Sequence, residues 1–153
     1  MVDTIRARTF AEVEASLVER AHRMVWCNVA TVDGEGRPRS RLLHPIWDGG
    51  KAWILTRRGS YKAHQIEANP HVSLAYVSEI ASPVYAECVA FWENDPSRKQ
   101  RIWDLFAAAP PPLGYDPGPL FGHVDHPDAG LLRLEPWLVI LPSFPQSQTI
   151  WRA

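Results

Sequence analysis

The sequence predicts a mainly β fold of the α+β class, in which a small barrel carries short helices at its periphery. Three observations predict this class. Short apolar runs rich in β-branched and aromatic residues follow one another closely, turn residues such as Asp-Gly and Gly-Gly separate them, and only three short segments have helical character. With 153 residues and a hydrophobic content of 46%, we expect one domain covering residues 1–153.

Three predicted helices each begin at a residue that can cap a helix N-terminus: Thr9, Ser60 and Asp95. Glu12 follows Thr9 in a capping-box pattern, and apolar residues continue at helical spacing to Met24. The second helix is predicted to end near Ala68, because an Asn-Pro pair follows it. Pro96 takes the first position of the third helix, where a missing N–H leaves no bond unmade.

The predicted strands cover residues 24–32, 37–47, 51–56, 71–77, 84–92 and 130–141. Turns rich in Gly and Asp make the first three of them consecutive hairpin partners. With that pairing, residues 39–43 lie beside residues 51–56. The segment 110–119 contains five Pro and is predicted to be an irregular loop, and residues 143–153 are predicted to be a tail.

Composition and charge exclude several classes of protein. A formal net charge of -1 argues against a general nucleic-acid binder. No stretch approaches the ~20 apolar residues of a membrane span, and no apolar segment of a secretory leader follows the charged start. Cys27 and Cys88 make neither a disulfide framework nor a metal site, and both are predicted to be buried. We therefore expect a soluble, cytoplasmic protein.

Positive charge is concentrated in one segment of the chain. Residues 37–62 hold seven basic residues and one acid, a net charge of +6, so the remainder of the chain carries -7. This asymmetry indicates a local anionic ligand. Within the segment, Lys62 falls in the first turn of the helix capped by Ser60, where a cation opposes the helix dipole. A bound anion would reverse that effect, and the alternative is an exposed lysine.

Arg39 and Arg41 are a second basic pair. They are two positions apart on a predicted strand, so their side chains share one face, while Ser40 and Leu42 point to the other. Two guanidinium groups on one face suit a bidentate oxyanion partner, with a solvated outer face as the alternative. The hairpin pairing above would bring this pair and Lys62 to one site.

Residues 61–74, YKAHQIEANPHVSL, resemble the flavin-phosphate helix and the following strand of the pyridoxamine 5′-phosphate oxidase family. Residues 39–44, RSRLLH, resemble that family's Arg-x-Val-Leu-Leu-Lys strand, and Leu55-Thr56 resembles its aromatic-Thr pair. The resemblance covers about residues 25–92. It implies a homodimeric split β-barrel with FMN held at the dimer interface by both subunits.

The resemblance also implies roles for individual residues. Residues that would hold the FMN phosphate are Arg39, Ser60 and Lys62, with Arg41 able to exchange roles with Arg39. Residues that would line the flavin ring or the ribityl chain are Ser40, Arg41, Leu42, Leu55 and Thr56. Tyr61 is a further candidate for cofactor binding, and it takes the place of an Arg that precedes the phosphate-binding Lys in the family. His44 replaces a substrate-contacting Lys, and a substrate could stack near Trp47, Tyr85 or Trp92.

Other departures from the family pattern concern the substrate. The position of the family's flavin-contacting Gln corresponds to about Pro83 in this chain, so that contact is absent. The Tyr, Arg and Ser that bind pyridoxamine phosphate in the family have no match here. Genuine pyridoxamine phosphate oxidation is therefore not expected. The resemblance implies an FMN-dependent oxidoreductase of unknown substrate, with no obligatory catalytic side chain. The alternatives are a deazaflavin-dependent reductase, whose anionic tail would suit Arg37, Arg57 and Arg58, a non-catalytic flavin carrier or sensor, and an empty vestigial site.

One segment has the residue types of a metal site. It contains His123, Asp125, His126 and Asp128, which are possible zinc ligands. Turn residues surround them, and the segment follows the Pro-rich loop. We interpret it as a polar loop and predict no metal site.

Overall fold

The computed structural model describes residues 2–153, in which strands dominate and helices are few. Its elements are β1 (Asp3–Ala7), α1 (Ala11–Met24), β2 (Cys27–Val32), β3 (Pro38–Leu43), β4 (Ile46–Asp48), β5 (Lys51–Arg57), α2 (Tyr61–Ala68), β6 (His71–Tyr76), β7 (Val84–Trp92), α3 (Pro96–Ala108), α4 (Gly118–Phe121), β8 (Ala129–Ser143) and β9 (Ser147–Arg152). The predicted mixed α+β class, mostly strands, is confirmed. None of the helices in this range has the length and apolar content needed to cross a membrane.

Strand β8 organises the sheet because it is long enough to serve two partners on one edge. Its first part, up to Leu134, pairs with β5, and its later part, from Leu138, pairs with β9. The other edge pairs with β7, and the sheet continues through β6 and β2 to β3. Strand β4 joins only through β5, and β1 only through a parallel pairing with β9.

Two apolar clusters fix the layers of the molecule. The larger lies on the inner face of the sheet and receives α1 through Val13, Leu17, Ala21 and Met24, whose spacing makes one apolar stripe. The smaller lies on the opposite face of β5 and β8, where α3 packs with Ile102 and Phe106. Alternation along β5 therefore directs successive side chains into different clusters.

The capping predictions are confirmed for α2 and α3. Ser60 Oγ accepts a hydrogen bond from the Ala63 N–H, and the Asp95 carboxylate accepts one from the Arg98 N–H at 3.0 Å. At α1 only half of the capping box forms. Glu12 Oε2 accepts from the Thr9 N–H at 2.7 Å, but the Thr9 side chain caps no helical N–H.

The structure corrects three strand predictions. The predicted pairing of β3 with β5 was wrong. The predicted strand is interrupted at His44 and Pro45, and β3 pairs only with β2. The segment 143–153 is no tail: β9 pairs on both edges, with β8 and β1. Strand β1 was not predicted, because it is mostly exposed and gains its order from β9. The short helix α4 was not predicted either, since it begins inside the Pro-rich segment 110–119.

The joint between α1 and the barrel contains a half-buried histidine. His22 Nε2 accepts a hydrogen bond from the Trp47 N–H at 3.0 Å, and burial lowers the pKa of His22. The folded state therefore takes up a proton less readily than the unfolded chain. The contribution of neutral His22 to the free energy of unfolding is fully present above about pH 6.5, the ordinary pKa of His. It is lost as the pH falls through the lower pKa of the folded state.

We expect urea midpoints to decrease from about pH 7.5 to about pH 5.5, and the His22→Gln variant to show a smaller decrease. Gln retains an acceptor for the Trp47 N–H but does not titrate. His71→Gln, at an exposed position on β6, is the matched control and should keep the full decrease. An unchanged pH dependence in His22→Gln would contradict the assignment.

Candidate functional site

Arg41 and Lys62 come together where α2 covers β2. Register places Arg41 opposite Val29, so its side chain lies on the inner face of the sheet. Its guanidinium donates to Thr31 Oγ1 at 2.7 Å, to the Val29 carbonyl at 3.2 Å and to Gln65 Oε1 of α2 at 3.2 Å. The two basic clusters of the sequence thus meet across β2, whereas the sequence predicted a meeting across a β3–β5 pairing.

Neither of these two cations is neutralised. Across residues 2–153, no carboxylate forms an ion pair with Arg41 or with Lys62, and the partners of Arg41 are neutral oxygens. Burial lowers the pKa of Lys62, and the charge of Arg41 lowers it further. Burial, followed by the charge of Arg39, lowers the pKa of Arg41. A half-buried pair of like charges favours an anion beside it.

The N-terminus of α2 faces the same place. Ser60 Oγ takes the Ala63 N–H at 3.3 Å, and Lys62 Nζ lies 3.5 Å from the same hydroxyl. An α-helix leaves its first N–H groups without intrahelical acceptors, and its dipole adds positive potential there. The cation in the first turn and the helix end therefore both favour a negatively charged ligand group.

Thr56 adds a buried hydroxyl at the end of β5. The residue is 3% exposed, and its Oγ1 has no hydrogen-bond partner in the described part of the chain. It shares the inner face with Gly130 of β8, where a Cβ would lie 2.5 Å from the Trp92 ring and 2.9 Å from the Thr56 carbonyl. Only Gly fits this close approach. An unpartnered buried hydroxyl is costly, and a ligand oxygen or nitrogen would satisfy it.

The remaining candidates are more scattered. Arg39 lies on the Arg41 side of β3 but is exposed, with Nη1 3.9 Å from Asp33 Oδ2. Ser40 and Leu42 lie on the opposite face, and Leu42 is 65% exposed. Tyr61 is 89% exposed. Leu55 packs against the α3 cluster, on the face of β5 that Thr56 does not share.

The two candidates for the substrate side differ. The His44 ring packs on the rings of Trp26, at 4.4 Å, and of Tyr115, at 5.1 Å, while Nδ1 lies 3.3 Å from the Leu113 carbonyl. Burial lowers the pKa of His44. Trp47 requires a correction: it is 3% exposed, lies in the larger cluster and donates its Nε1–H to the Tyr76 hydroxyl, so it cannot stack on a surface ligand.

Sequence reasoning did not place three residues in this region, although it considered one of them, Asp128, as a possible zinc ligand. Thr31 and Gln65 contact the Arg41 guanidinium, and Asp128 contacts the loop before α2. Gln65 lies three positions after Lys62, so helical spacing could have placed it on the same face. Nothing local identifies Thr31 or Asp128, because their contacts come from distant parts of the chain.

The polar segment 123–128 forms no metal centre in residues 2–153. His126 Nδ1 accepts from the Asp128 N–H at 3.1 Å, and both Asp128 carboxylate oxygens are occupied by protein donors. The thiols of Cys27 and Cys88 are buried, and burial raises the pKa of Cys27 to about 12. Neither thiol is available for chemistry at neutral pH.

Comparison with known proteins supplies the family. The pyridoxamine 5′-phosphate oxidase family model matches residues 13–115, about two thirds of the chain. This chain belongs to the pyridoxamine 5′-phosphate oxidase family. The match confirms the resemblance seen in the sequence. The pyridoxine/pyridoxamine 5′-phosphate oxidase of Escherichia fergusonii is 49% identical over 49 residues, which span 31% of this chain and 22% of that enzyme.

Several solved structures share the fold of this chain. A NimC/NimA family protein from Clostridium acetobutylicum superimposes with a TM-score of 0.76 at 15% identity, covering 94% of each chain. An F420 reductase superimposes with a TM-score of 0.58 at 19% identity, covering 81% of this chain and 93% of that one. F420 is a deazaflavin coenzyme, and at these identities the likeness shows the shared fold alone.

Proposed function

We propose that this protein binds FMN, with the phosphate on Arg41, Lys62 and Arg39 beside the N-terminus of α2, and acts as an oxidoreductase. One observation carries the proposal. Two half-buried cations stand together without an acid partner, next to a helix end that attracts anions. In a family of flavin-binding proteins, a flavin phosphate is the anion that fits this arrangement.

The other residues fit the rest of the coenzyme. The Ser60 hydroxyl, at the start of α2, donates to the Arg57 carbonyl at 2.9 Å in the ligand-free protein and would turn to the phosphate when FMN binds. Thr56 Oγ1, buried and unpartnered, would bond the ribityl chain or the ring. Ser40 and Leu42 face away from Arg41 on an edge strand, so their side chains would line a flavin held by a second copy of the chain. Such a homodimer would cover the exposed Leu42 side chain.

The coenzyme would supply the hydride chemistry, and the protein would bind and orient it. His44 is the candidate on the substrate side. Its lowered pKa keeps the imidazole neutral at pH 7, and the Leu113 carbonyl favours the tautomer with hydrogen on Nδ1. The other ring nitrogen is then an acceptor for a substrate donor. Tyr61, exposed at the start of α2, lies beside the phosphate.

A deazaflavin is the second candidate, because an F420 reductase has the same fold. Its anionic tail would need cations beyond the phosphate site. Arg37 is already paired with Asp33 and Glu35, and Arg57 with Asp128. The Arg58 guanidinium stacks over the Trp92 ring at 4.5 Å and bonds to Asn94. These existing partners favour FMN over the longer coenzyme.

The test is a titration of the purified protein with FMN, riboflavin and a deazaflavin coenzyme, following cofactor fluorescence. We expect saturable quenching by FMN, and binding at least about tenfold weaker for riboflavin, which lacks the phosphate. Tighter binding of the deazaflavin would favour the second candidate, and no binding of any of them would contradict both.

Turnover separates an enzyme from a carrier. With FMN bound, we expect a nicotinamide donor to bleach the flavin absorbance and an acceptor to restore it over repeated cycles. Sedimentation of the loaded protein should give the mass of a dimer. A bound flavin that stays oxidised with every donor would contradict the oxidoreductase and indicate a non-catalytic carrier or sensor.

Thr56→Val provides a test with two opposite effects. Val has nearly the same shape but removes the buried hydroxyl, so we expect the ligand-free protein to gain about 1 kcal/mol of unfolding free energy. FMN should bind several-fold more weakly, because the ligand loses a hydrogen bond. Urea denaturation and the fluorescence titration measure the two effects. Thr149→Val on β9 is the control and should change neither. Weaker stability together with unchanged affinity would contradict the role of Thr56.

A further inference from the structure

One acidic residue holds the loop that leads into α2. The loop comprises residues 58–60 and joins β5 to the helix. Asp128, from the segment before β8, accepts the Arg58 N–H on its carbonyl at 3.1 Å and the Gly59 N–H on Oδ1 at 3.1 Å. Its Oδ2 accepts from Arg57 Nη1 at 3.0 Å. Three donors from three consecutive residues therefore converge on Asp128, two on its carboxylate and one on its main-chain carbonyl.

These hydrogen bonds occupy both carboxylate oxygens of Asp128, and Arg57 forms an ion pair with the negative charge. The Gly59 N–H, and then the Arg57 side chain, lower the pKa of Asp128, so the carboxylate is ionised at neutral pH. A free carboxylate beside a phosphate site would repel the ligand. Here Arg57 offsets that charge, and the carboxylate instead sets the position of the backbone.

The loop determines where the phosphate-binding groups lie. Ser60 follows Gly59 directly and caps α2, and Lys62 Nζ lies 3.5 Å from Ser60 Oγ. A shift of the loop would therefore move the helix end, the hydroxyl and the ammonium group together. Binding sites lose affinity when their donors are not held in place before the ligand arrives.

Stability alone gives little reason for this arrangement. The Arg57 and Asp128 side chains are 58% and 32% exposed, and exposed ion pairs contribute little to folding. The segment 123–128 also carries Asp125, an exposed acid three positions away that makes no hydrogen bond or ion pair in residues 2–153. Of these two acids of one loop, only Asp128 contacts the loop before α2 in residues 2–153.

We propose that Asp128 is a positioning residue of the phosphate site, which fixes residues 58–60 so that Ser60, Lys62 and the first N–H groups of α2 converge on the phosphate. This inference rests on the proposed function. Asp128 touches no ligand in it and acts only through the loop.

The test compares Asp128→Ala, Asp128→Asn and the matched control Asp125→Ala in fluorescence titrations with FMN and with riboflavin. We expect Asp128→Ala to weaken FMN binding about tenfold or more and to leave riboflavin binding nearly unchanged, because only FMN carries the phosphate. Asp128→Asn keeps one acceptor and should lie between. Equal losses for both ligands, or the same loss in Asp125→Ala, would overturn the proposal.

A second measurement keeps the proposal testable if the wild-type protein binds no flavin, an outcome that would end the proposed function. Hydrogen exchange of the backbone amides of residues 58–62 is followed in the ligand-free protein. Asp128→Ala should exchange faster there, with the exchange of the β7 and β8 amides unchanged, and Asp125→Ala should match the wild type. Unaltered exchange in residues 58–62 of a folded Asp128→Ala protein would overturn the positioning role independently of any ligand.

Discussion

Replacing Lys62 by Ala is expected to weaken FMN binding about 10- to 100-fold, the range given by loss of one charge-assisted hydrogen bond to a phosphate. The ammonium group is half-buried beside Arg41, has no carboxylate partner within residues 2–153 and sits in the first turn of α2. Its removal also relieves repulsion from Arg41. The ligand-free protein should therefore unfold at an unchanged or slightly higher urea concentration.

The measurement is the FMN titration, with riboflavin as the ligand control and Lys99→Ala on α3 as the protein control. Riboflavin affinity should be the same in the wild type and in Lys62→Ala, because no phosphate is present to lose a partner. Lys99→Ala should bind FMN as the wild type does. Stoichiometric FMN retained by Lys62→Ala at low micromolar concentration would exclude Lys62 from the phosphate site.

Gly114→Ala is expected to cost about 3 kcal/mol of unfolding free energy, at the upper end for an overpacked site. A Cβ at this position would lie 2.0 Å from the Ala109 carbonyl oxygen and 2.7 Å from the Phe106 carbonyl oxygen. Both are backbone atoms at the end of α3, so no side-chain rotation can relieve the contact. The Tyr115 N–H bonds to the same Phe106 carbonyl at 2.9 Å, so the damage extends to the tyrosine that packs on His44.

Urea denaturation measures the cost, and Gly34→Ala is the matched control. A Cβ at Gly34 meets nothing within 4 Å, and its backbone is not in the left-handed region. We expect that variant to stay within about 1 kcal/mol of the wild type. A Gly114→Ala protein as stable as Gly34→Ala would show that the end of α3 can move freely. The near-ultraviolet circular dichroism signal, to which Tyr115 and its neighbour Trp26 across the His44 ring contribute, should change only in Gly114→Ala.

Local chemistry determined the starts of α2 and α3 and most of the strands. Ser60 and Asp95 cap their helices because a side-chain oxygen near free N–H groups depends only on neighbouring residues. Alternation along the chain likewise put Arg39 and Arg41 on one face of a strand, which the register confirms. The basic segment that contains Arg41 and Lys62 was also visible as charge, without any structure.

Long-range pairing decided what local chemistry could not. His44 and Pro45 interrupt what appeared as one continuous strand, so β3 became an edge strand beside β2 and the basic residues met across β2. The sequence shows that residue 47 is a large aromatic side chain, but not whether it is buried. The packing of α1 against the barrel buries Trp47. Strands β1 and β9 depend on each other, and neither has a strong pattern by itself.

By itself the sequence determined the fold class, the family and the presence of a cationic site, because capping, alternation and charge depend on residue types at short spacing. Only the tertiary structure decided which cations lack an acid partner, that the Thr56 hydroxyl is buried without a bond, and that Asp128 reaches the loop before α2. Those facts depend on burial and on contacts between segments as far apart as residues 59 and 128, which no local pattern encodes.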